Sequence, residues 1–68
     1  SCKYYTSIEV QSGDTLWSIA SDHITEEYRD MNAYIDEVCS INKISQNEIH
    51  ARQYLTIPYY SSIAIAGK

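Results

Sequence analysis

The 68-residue sequence contains no phenylalanine, one proline, one tryptophan, two glycines and two cysteines. Its apolar run Ile63–Ala66 is far shorter than the roughly 20 residues that cross a membrane, so no membrane insertion by this sequence is expected. Basic residues are also few, 5 against 9 acidic ones, and the net charge is −4. This balance argues against nucleic-acid binding, which needs a basic surface. Hydrophobic residues make up 44% of the chain, enough for one small domain.

The cysteines and histidines show no metal-ligating pattern. Cys2 and Cys39 belong to no CxxC or Cys/His spacing, and His23 and His50 stand alone, so we expect exposed histidines, no metal and no cofactor. One disulfide between the two cysteines would contribute about 2–4 kcal/mol. The alternative, which we favour, is that Cys39 is a small apolar residue of a helix and Cys2 an unpaired thiol.

The hydrophobic pattern indicates two strands that enclose two helices. Alternation predicts a strand over Tyr5–Gln11 and a second over Tyr54–Ile57, which Pro58 ends. The spacing of Leu16, Ile19 and Ala20 predicts a short helix over 15–21, for which Asp14 is the predicted cap. A second apolar stripe begins at Met31 and includes Ile35, Val38, Cys39 and Ile41; Asn42 ends that helix in a left-handed conformation. Thr25 and the Ser45–Glu48 segment each predict a short turn.

This order predicts an α+β fold in which two helices cover one face of a two-stranded antiparallel sheet. We divide the chain into an N-terminal extension (1–4), the domain (5–59) and a flexible tail (60–68). The predicted core is formed by Ile8, Val10, Leu16, Ile19, Ala20, Ile35, Val38, Ile41, Leu55 and Ile57.

Two segments resemble a known family. The Gly-Asp-Thr-Leu-Trp-Ser-Ile-Ala string within Val10–Ala20, and Gln53–Pro58 with its Ile-Pro ending, are similar to the opening and close of a LysM domain. The resemblance implies a βααβ fold and binding of glycans that contain N-acetylglucosamine, mainly peptidoglycan in bacteria and chitin in eukaryotes. The pattern also resembles, more weakly, small envelope proteins of Gram-positive bacteria that suppress cell division.

The sequence departs from the family pattern in two places. Arg52 stands where LysM domains usually carry glycine, so a positive φ there would strain the backbone. The stretch between Trp17 and Asn42 is longer than usual by roughly two helical turns. The additional residues, centred on 22–30, are expected to lengthen the helical region and to be able to overhang a sugar site.

The resemblance implies a sugar groove between the loop after the first strand and the loop before the last. Ile44 and Ile49 are candidates to pack against the acetyl methyl, although core packing is the more common role of such residues. Asp14 is explained as well by a capping role, and Thr15 equally by a first-turn role. The implied groove residues are Gly13, Asp14, Thr15, Leu16, Lys43, Ile44, Ser45, Gln46, Asn47, Glu48 and Ile49.

Aromatic side chains are candidates for sugar stacking. Trp17 follows Leu16 in the first helical turn, so we expect a partly buried structural ring. For Tyr54, Tyr59 and Tyr60 the favoured interpretation is that they cover the apolar surface of a small sheet.

The function predicted from these features is a non-catalytic module that binds peptidoglycan or a chitin-type oligosaccharide and anchors a protein to the cell wall, outside the cell. Glycosidases need two carboxylates across the scissile bond, and nothing in the sequence places such a pair. The alternative is a protein-interaction module on the same fold, for which Arg52, the long central stretch and the tyrosines speak.

Overall fold

The computed structural model describes residues 1–46 and 48–63. The elements are strand β1 (Cys2–Glu9), helix α1 (Leu16–His23), helix α2 (Met31–Asn42) and strand β2 (Tyr54–Ser61). The strands pair antiparallel in a two-stranded sheet, α2 packs against β2, and α1 packs against α2. The predicted βααβ architecture is therefore confirmed.

Both strands are longer than the alternation pattern predicted. β1 begins at Cys2 rather than Tyr5, and β2 continues through Pro58 to Ser61. Residues 2–4 pair with residues 59–61, so part of the predicted extension and part of the predicted tail lie in the sheet. Of the rest of that tail, residues 62 and 63 follow β2, and residues 64–68 lie outside the described residues.

β2 continues through Pro58. At this position the main-chain groups face away from β1, so the missing N–H of proline removes no hydrogen bond between the strands. The N–H and C=O of Thr56 both bond to the side chain of Asn42 in α2, so they point away from β1. Main-chain groups two residues apart in a strand point the same way. Accordingly, the carbonyl of Pro58 also faces α2, where it accepts a hydrogen bond from the Tyr34 hydroxyl at 2.6 Å. Proline is tolerated at such an edge position.

The core lies between the helices and the sheet and contains two residues that the sequence prediction missed. Tyr34 is completely buried, and Cys39 is buried one turn further along α2. Ile8 and Ile41, which were predicted in the core, are only half-buried. The buried set is Val10, Leu16, Ile19, Ala20, Tyr34, Ile35, Val38, Cys39, Leu55 and Ile57.

The helix caps differ from the predicted ones by one residue. α1 is capped by Thr15, not Asp14: the Thr15 hydroxyl accepts from the Ser18 N–H, and the Ser18 hydroxyl accepts from the Thr15 N–H. Asp30 caps α2 by accepting from the Ala33 N–H. The residue that takes the left-handed conformation at the end of α2 is the cap Lys43, which follows Asn42. The side chain of Asn42 is then free to bridge α2 and β2.

The two thiols do not form a disulfide: Cys2 is exposed on β1, Cys39 is buried in α2, and both are free. The buried Cys39 has a raised pKa because burial disfavours the thiolate. Among the helices of the described part of the chain, none is long and apolar enough to cross a membrane.

The stretch between the helices packs at the end of the sheet where β1 begins. The ring of Tyr28 contacts those of Tyr34 and Tyr60, with centroid distances of 4.8 and 5.7 Å. The ammonium of Lys3, directly opposite Tyr60, lies 5.9 Å from the Tyr28 ring and pairs with Glu37 of α2. We call this the aromatic end of the sheet. The central stretch, which was expected from the sequence to be able to overhang a sugar site, thus packs through Tyr28 at this end of the sheet. The loop that follows β1 leaves the sheet at the other end.

Candidate functional site

The loops that the sequence assigned to a sugar groove leave the sheet at one end. Glu9 ends β1 and pairs with Tyr54, which begins β2. The start of the β1–α1 loop (10–15) therefore lies beside the end of the α2–β2 loop (43–53). Main-chain hydrogen bonds join them beyond the strands, because the Val10 N–H donates to the Gln53 carbonyl at 2.8 Å. We call this the loop end of the sheet.

Three four-residue turns close in the same way within these loops. In each, the N–H of the fourth residue donates to the first carbonyl, and the fourth side chain accepts from the first N–H. The fourth residues are Asp14, Glu48 and Gln53, and their side-chain oxygens lie 2.7–2.9 Å from the amide nitrogens. The bond from the Ser45 N–H holds the pKa of Glu48 below its ordinary value. Each turn thereby provides a hydrogen-bond partner for the N–H and the carbonyl of its first residue and for the N–H of its fourth.

Gly13 lies at an open point of the β1–α1 loop. Its φ is +88°, a conformation that favours glycine, and an added Cβ would meet no atom within 4 Å. Neither its N–H nor its carbonyl bonds to another residue of the described part of the chain. A ligand can therefore approach this main chain closely and find an available donor and acceptor.

The other predicted residues of the first wall have structural roles. The carboxylate of Asp14 accepts from the Gln11 N–H and from the Ser18 hydroxyl, so its turn-closing role is filled. Thr15 is exposed but caps α1. The side chain of Leu16 is buried in the core, which leaves only its main chain for a ligand.

The second wall combines exposed polar residues with two apolar anchors. Lys43, Ser45 and Gln46 are exposed, and the Gln46 amide lies 3.4 Å from a carboxylate oxygen of Asp36. Ile44 and Ile49 are half-buried and pack against the core, as the more common interpretation of such residues expects. Asn47 lies outside the described residues, and the exposed Glu48 closes its turn.

The last turn of the α2–β2 loop contains a β-bulge at Arg52. Val10 donates to the Gln53 carbonyl and accepts from the Arg52 N–H at 2.7 Å, so two residues oppose one. The φ of Arg52 is +76°. Such a bulge favours glycine at its first position, so the positive φ of Arg52 strains the backbone there, as was expected from the sequence for that conformation.

Trp17 is the aromatic residue that sequence reasoning placed wrongly. Its side chain is 56% exposed, although a partly buried structural ring was expected. The reason is the helical period: Leu16, Ile19 and Ala20 occupy the buried face of α1, which leaves Trp17 on the outer side. Tyr54, the first residue of β2 at the loop end, is 63% exposed. The rings of Tyr59 and Tyr60 are half-buried at the aromatic end and cover apolar surface there, as favoured.

Within residues 1–46 and 48–63, no group of three histidine, cysteine, aspartate or glutamate side chains is arranged to hold a metal ion. His50 is exposed as expected, whereas His23 is half-buried at the end of α1. A cleft of about 540 Å³ opens at the aromatic end of the sheet, away from the two loops. Its lining includes Thr25, Glu27 and Tyr60.

The chain is 44% identical over 54 residues to the cell division suppressor protein YneA of Bacillus pumilus (strain SAFR-032), covering 79% of this chain and 52% of that protein. For the protein of the same name from Bacillus subtilis (strain 168), the identity is 39% over 54 residues, covering 79% and 51%. The chain thus spans about half the length of these curated relatives. No solved structure matches it. The LysM domain profile matches residues 8–58, from the middle of β1 to Pro58, and the chain therefore belongs to the LysM domain family.

Proposed function

We propose that the chain is a non-catalytic module that binds glycans containing N-acetylglucosamine. The proposed ligand is peptidoglycan, which places the module outside the cell, where it retains the protein of which it is part at the cell wall. Membership in the LysM family supports a binding role. The proposal assigns no catalytic group.

The observation that supports this proposal most is the open main chain of Gly13. The acetamido group of the sugar offers a carbonyl, an N–H and a methyl, so its recognition needs a main-chain donor, an acceptor and an apolar contact. Gly13 has an N–H and a carbonyl without a partner in the described residues, beside space that no Cβ fills. The neighbouring α2–β2 loop offers Ile44 and Ile49, whose exposed portions can contact the methyl.

The site would be shallow, because two surface loops form it and Leu16 is turned into the core. A shallow site buries little ligand surface and so offsets little of the entropic cost of association. A dissociation constant of about 1 mM per site is therefore expected. Repeated binding along a polymer, or attachment at the wall, would raise the effective affinity.

The proposal is tested by titrating the ¹⁵N-labelled protein with N-acetylglucosamine oligomers and recording amide resonances. The amides of residues 13–16 and 43–49 should shift, whereas those of residues 2–4 at the aromatic end should not. Absence of any shift at millimolar pentamer would contradict the proposal.

A matched pair of variants separates binding from folding. Gly13→Asn places a side chain over the open main chain while keeping a residue that tolerates positive φ, so binding should fall strongly and the fold should remain. Ser62→Asn makes the same addition of a carboxamide at an exposed position just beyond β2. It should bind like the unmodified protein.

A second candidate function is a protein-interaction module, which the exposed aromatic side chains of Trp17 and Tyr54 favour. The relatives named cell division suppressor proteins are compatible with a module of this kind in a regulator of division. Trp17→Ala tests which kind of ligand the exposed ring contacts. If Trp17 serves a protein partner, the variant should leave oligomer binding intact; a loss of oligomer binding would assign the ring to sugar stacking.

A further inference from the structure

The basic side chains of the described residues fall into two classes. Lys3 and Arg29 each pair with a neighbouring carboxylate. Lys43 and Arg52 are exposed and form no ion pair with another described residue. They lie at the start and near the end of the α2–β2 loop, so the proposed second wall of the glycan site is bracketed by two available positive charges.

Both of these residues adopt a backbone conformation that glycine would adopt more easily. The φ of Lys43 is +56° and that of Arg52 is +76°; they are the non-glycine residues with positive φ in the described part of the chain. A side chain in the left-handed region is disfavoured because its Cβ crowds the following carbonyl oxygen. Turn geometry therefore does not explain why the chain has cations at these two positions.

Lys43 has a local explanation, whereas Arg52 has none. Lys43 follows the last residue of α2, where a positive charge interacts favourably with the negative end of the helix dipole. Arg52 adjoins no helix end, and its guanidinium has no hydrogen-bond partner among the described residues. A strained residue that the surrounding structure does not need points to a role in function.

The carboxylates in the two loops limit how this cation can act. The carboxylates of Asp14 and Glu48 accept hydrogen bonds from main-chain amides, and they give the two loops negative charge. With a net charge of −4, the molecule does not attract anions from a distance. Arg52 can therefore recognise an anion only by direct contact, for which the planar guanidinium is suited because it binds a carboxylate with two parallel hydrogen bonds.

We infer that Arg52 contacts a carboxylate on the bound glycan, namely the free lactyl carboxylate of a peptide-free N-acetylmuramic acid unit next to the N-acetylglucosamine unit in the groove. This inference rests on the proposed function, which it makes more specific. Where a stem peptide is attached, this carboxyl forms an amide and has no charge, whereas peptide-free strands carry the free carboxylate on every second sugar and chitin oligomers are uncharged. Arg52 thus favours peptide-free peptidoglycan strands over peptide-bearing strands and over chitin.

The experiment compares three peptide-free probes of equal length by calorimetry or NMR titration. The first alternates N-acetylglucosamine with N-acetylmuramic acid, the second has each lactyl carboxylate converted to an amide, and the third is an N-acetylglucosamine oligomer. The unmodified protein should bind the acid form about fivefold more tightly than the amide form, as expected for one exposed ion pair.

Three variants assign this preference to Arg52. In Arg52→Gly, which removes the guanidinium without straining the bulge, the affinity ratio of acid to amide should fall to about one. Arg52→Lys should keep part of the preference, because it retains the charge and loses the paired hydrogen bonds. Arg29→Gln removes an arginine that belongs to neither loop, so it should leave the affinity ratio of acid to amide unchanged.

The failure of this inference is distinguishable from failure of the proposed function. Equal binding of the acid and amide forms, or an undiminished ratio in Arg52→Gly, would overturn the role of Arg52 while glycan binding stands. If none of the three probes binds, the proposed function itself is overturned.

Discussion

The two ends of the sheet are held by different forces. At the aromatic end, side chains make the contacts: Lys3, Tyr28, Tyr34 and Tyr60 pack together, and the Tyr34 hydroxyl donates to the Pro58 carbonyl. At the loop end, main-chain hydrogen bonds and small turns hold the loops, while Trp17 and several polar side chains stay exposed. The difference suggests a division of labour in which one end stabilises the fold and the other keeps main-chain groups available for a ligand.

The largest test of this comparison is removal of Tyr34. Tyr34→Ala deletes a fully buried aromatic side chain and should lower the free energy of unfolding by about 3–5 kcal/mol. A small domain has only about 5 kcal/mol in total, so the variant should be largely unfolded. Chemical denaturation followed by circular dichroism measures the loss.

Tyr34→Phe separates the ring from the hydroxyl. It removes only the 2.6 Å bond to Pro58 and leaves that carbonyl unsatisfied, so a loss of about 1–3 kcal/mol is expected, with the fold retained. If Tyr34→Ala costs no more than Tyr34→Phe, ring packing does not hold the aromatic end.

Asn42 tests the link between α2 and the outer edge of β2. Its side chain makes three hydrogen bonds, to the Val38 carbonyl and to both main-chain groups of Thr56. Asn42→Ala removes all three and should cost about 2 kcal/mol. Asn32→Ala, in the exposed first turn of the same helix, is the matched control and should change stability by less than about 0.5 kcal/mol. Equal thermal shifts for the two variants would contradict a bridging role for Asn42.

The ion pair at the aromatic end predicts a loss of stability at alkaline pH. The hydrogen bond to Glu37 raises the pKa of Lys3, and burial raises the pKa of Tyr28 and raises that of Tyr34 to about 12. In each case the protonated form is favoured by folding. The contribution is therefore complete below the ordinary value, near 10.0 for tyrosine and 10.5 for lysine, and is lost as pH rises through the folded pKa.

The expected measurement is a melting temperature that falls above about pH 10. Lys3→Met keeps an apolar stem among the rings, removes the charge, and should cost about 1 kcal/mol at neutral pH. The control is Arg29→Met, since the Arg29 side chain is 80% exposed and its pair with Asp30 should contribute little. A flat melting profile between pH 9 and 11 would show that these groups do not stabilise the fold.

The sequence predicted the loop end better than the aromatic end, for a physical reason. At the loop end the signals are local: Gly13, the Ser45–Glu48 spacing and the apolar positions of α1 act within a few residues of one another. The β1 extension depends instead on Lys3 and Tyr60, which are distant in sequence and meet only after the chain folds. Tyrosines with half-buried rings do not show a period-two pattern, so the outer parts of both strands escaped detection.

Within the site, sequence reasoning reached the residue types but not all of their roles. Asp14 was expected to cap α1, yet the hydroxyl of Thr15 lies one residue closer to the helix and takes that role. Trp17 was assigned to a structural position because it follows a buried leucine, although one step along a helix turns a side chain by about a quarter of a turn. Strain at Arg52 was expected only if its φ is positive, and the bulge opposite Val10 is the reason that it is.

The last two predicted effects compare Gly13 with Arg52. Gly13→Ala adds a Cβ that meets no atom, so the variant adds backbone strain of about 1–2 kcal/mol without a steric contact, and the smaller freedom of alanine in the unfolded chain offsets part of the loss of stability. Arg52→Gly removes the same kind of strain and should raise the free energy of unfolding by about 0.5–1 kcal/mol, after allowance for the greater freedom of glycine in the unfolded chain. Both values follow from urea denaturation at neutral pH.

The opposite signs of these two effects are the informative result. A destabilised Arg52→Gly would mean that the arginine side chain supports the folded loop, which would explain its presence without any ligand. A stabilised variant would mean that the chain retains, at a cost to folding, a strained arginine that forms no ion pair with another described residue. Only in that case does the carboxylate proposed for the glycan remain the reason for having arginine at this bulge.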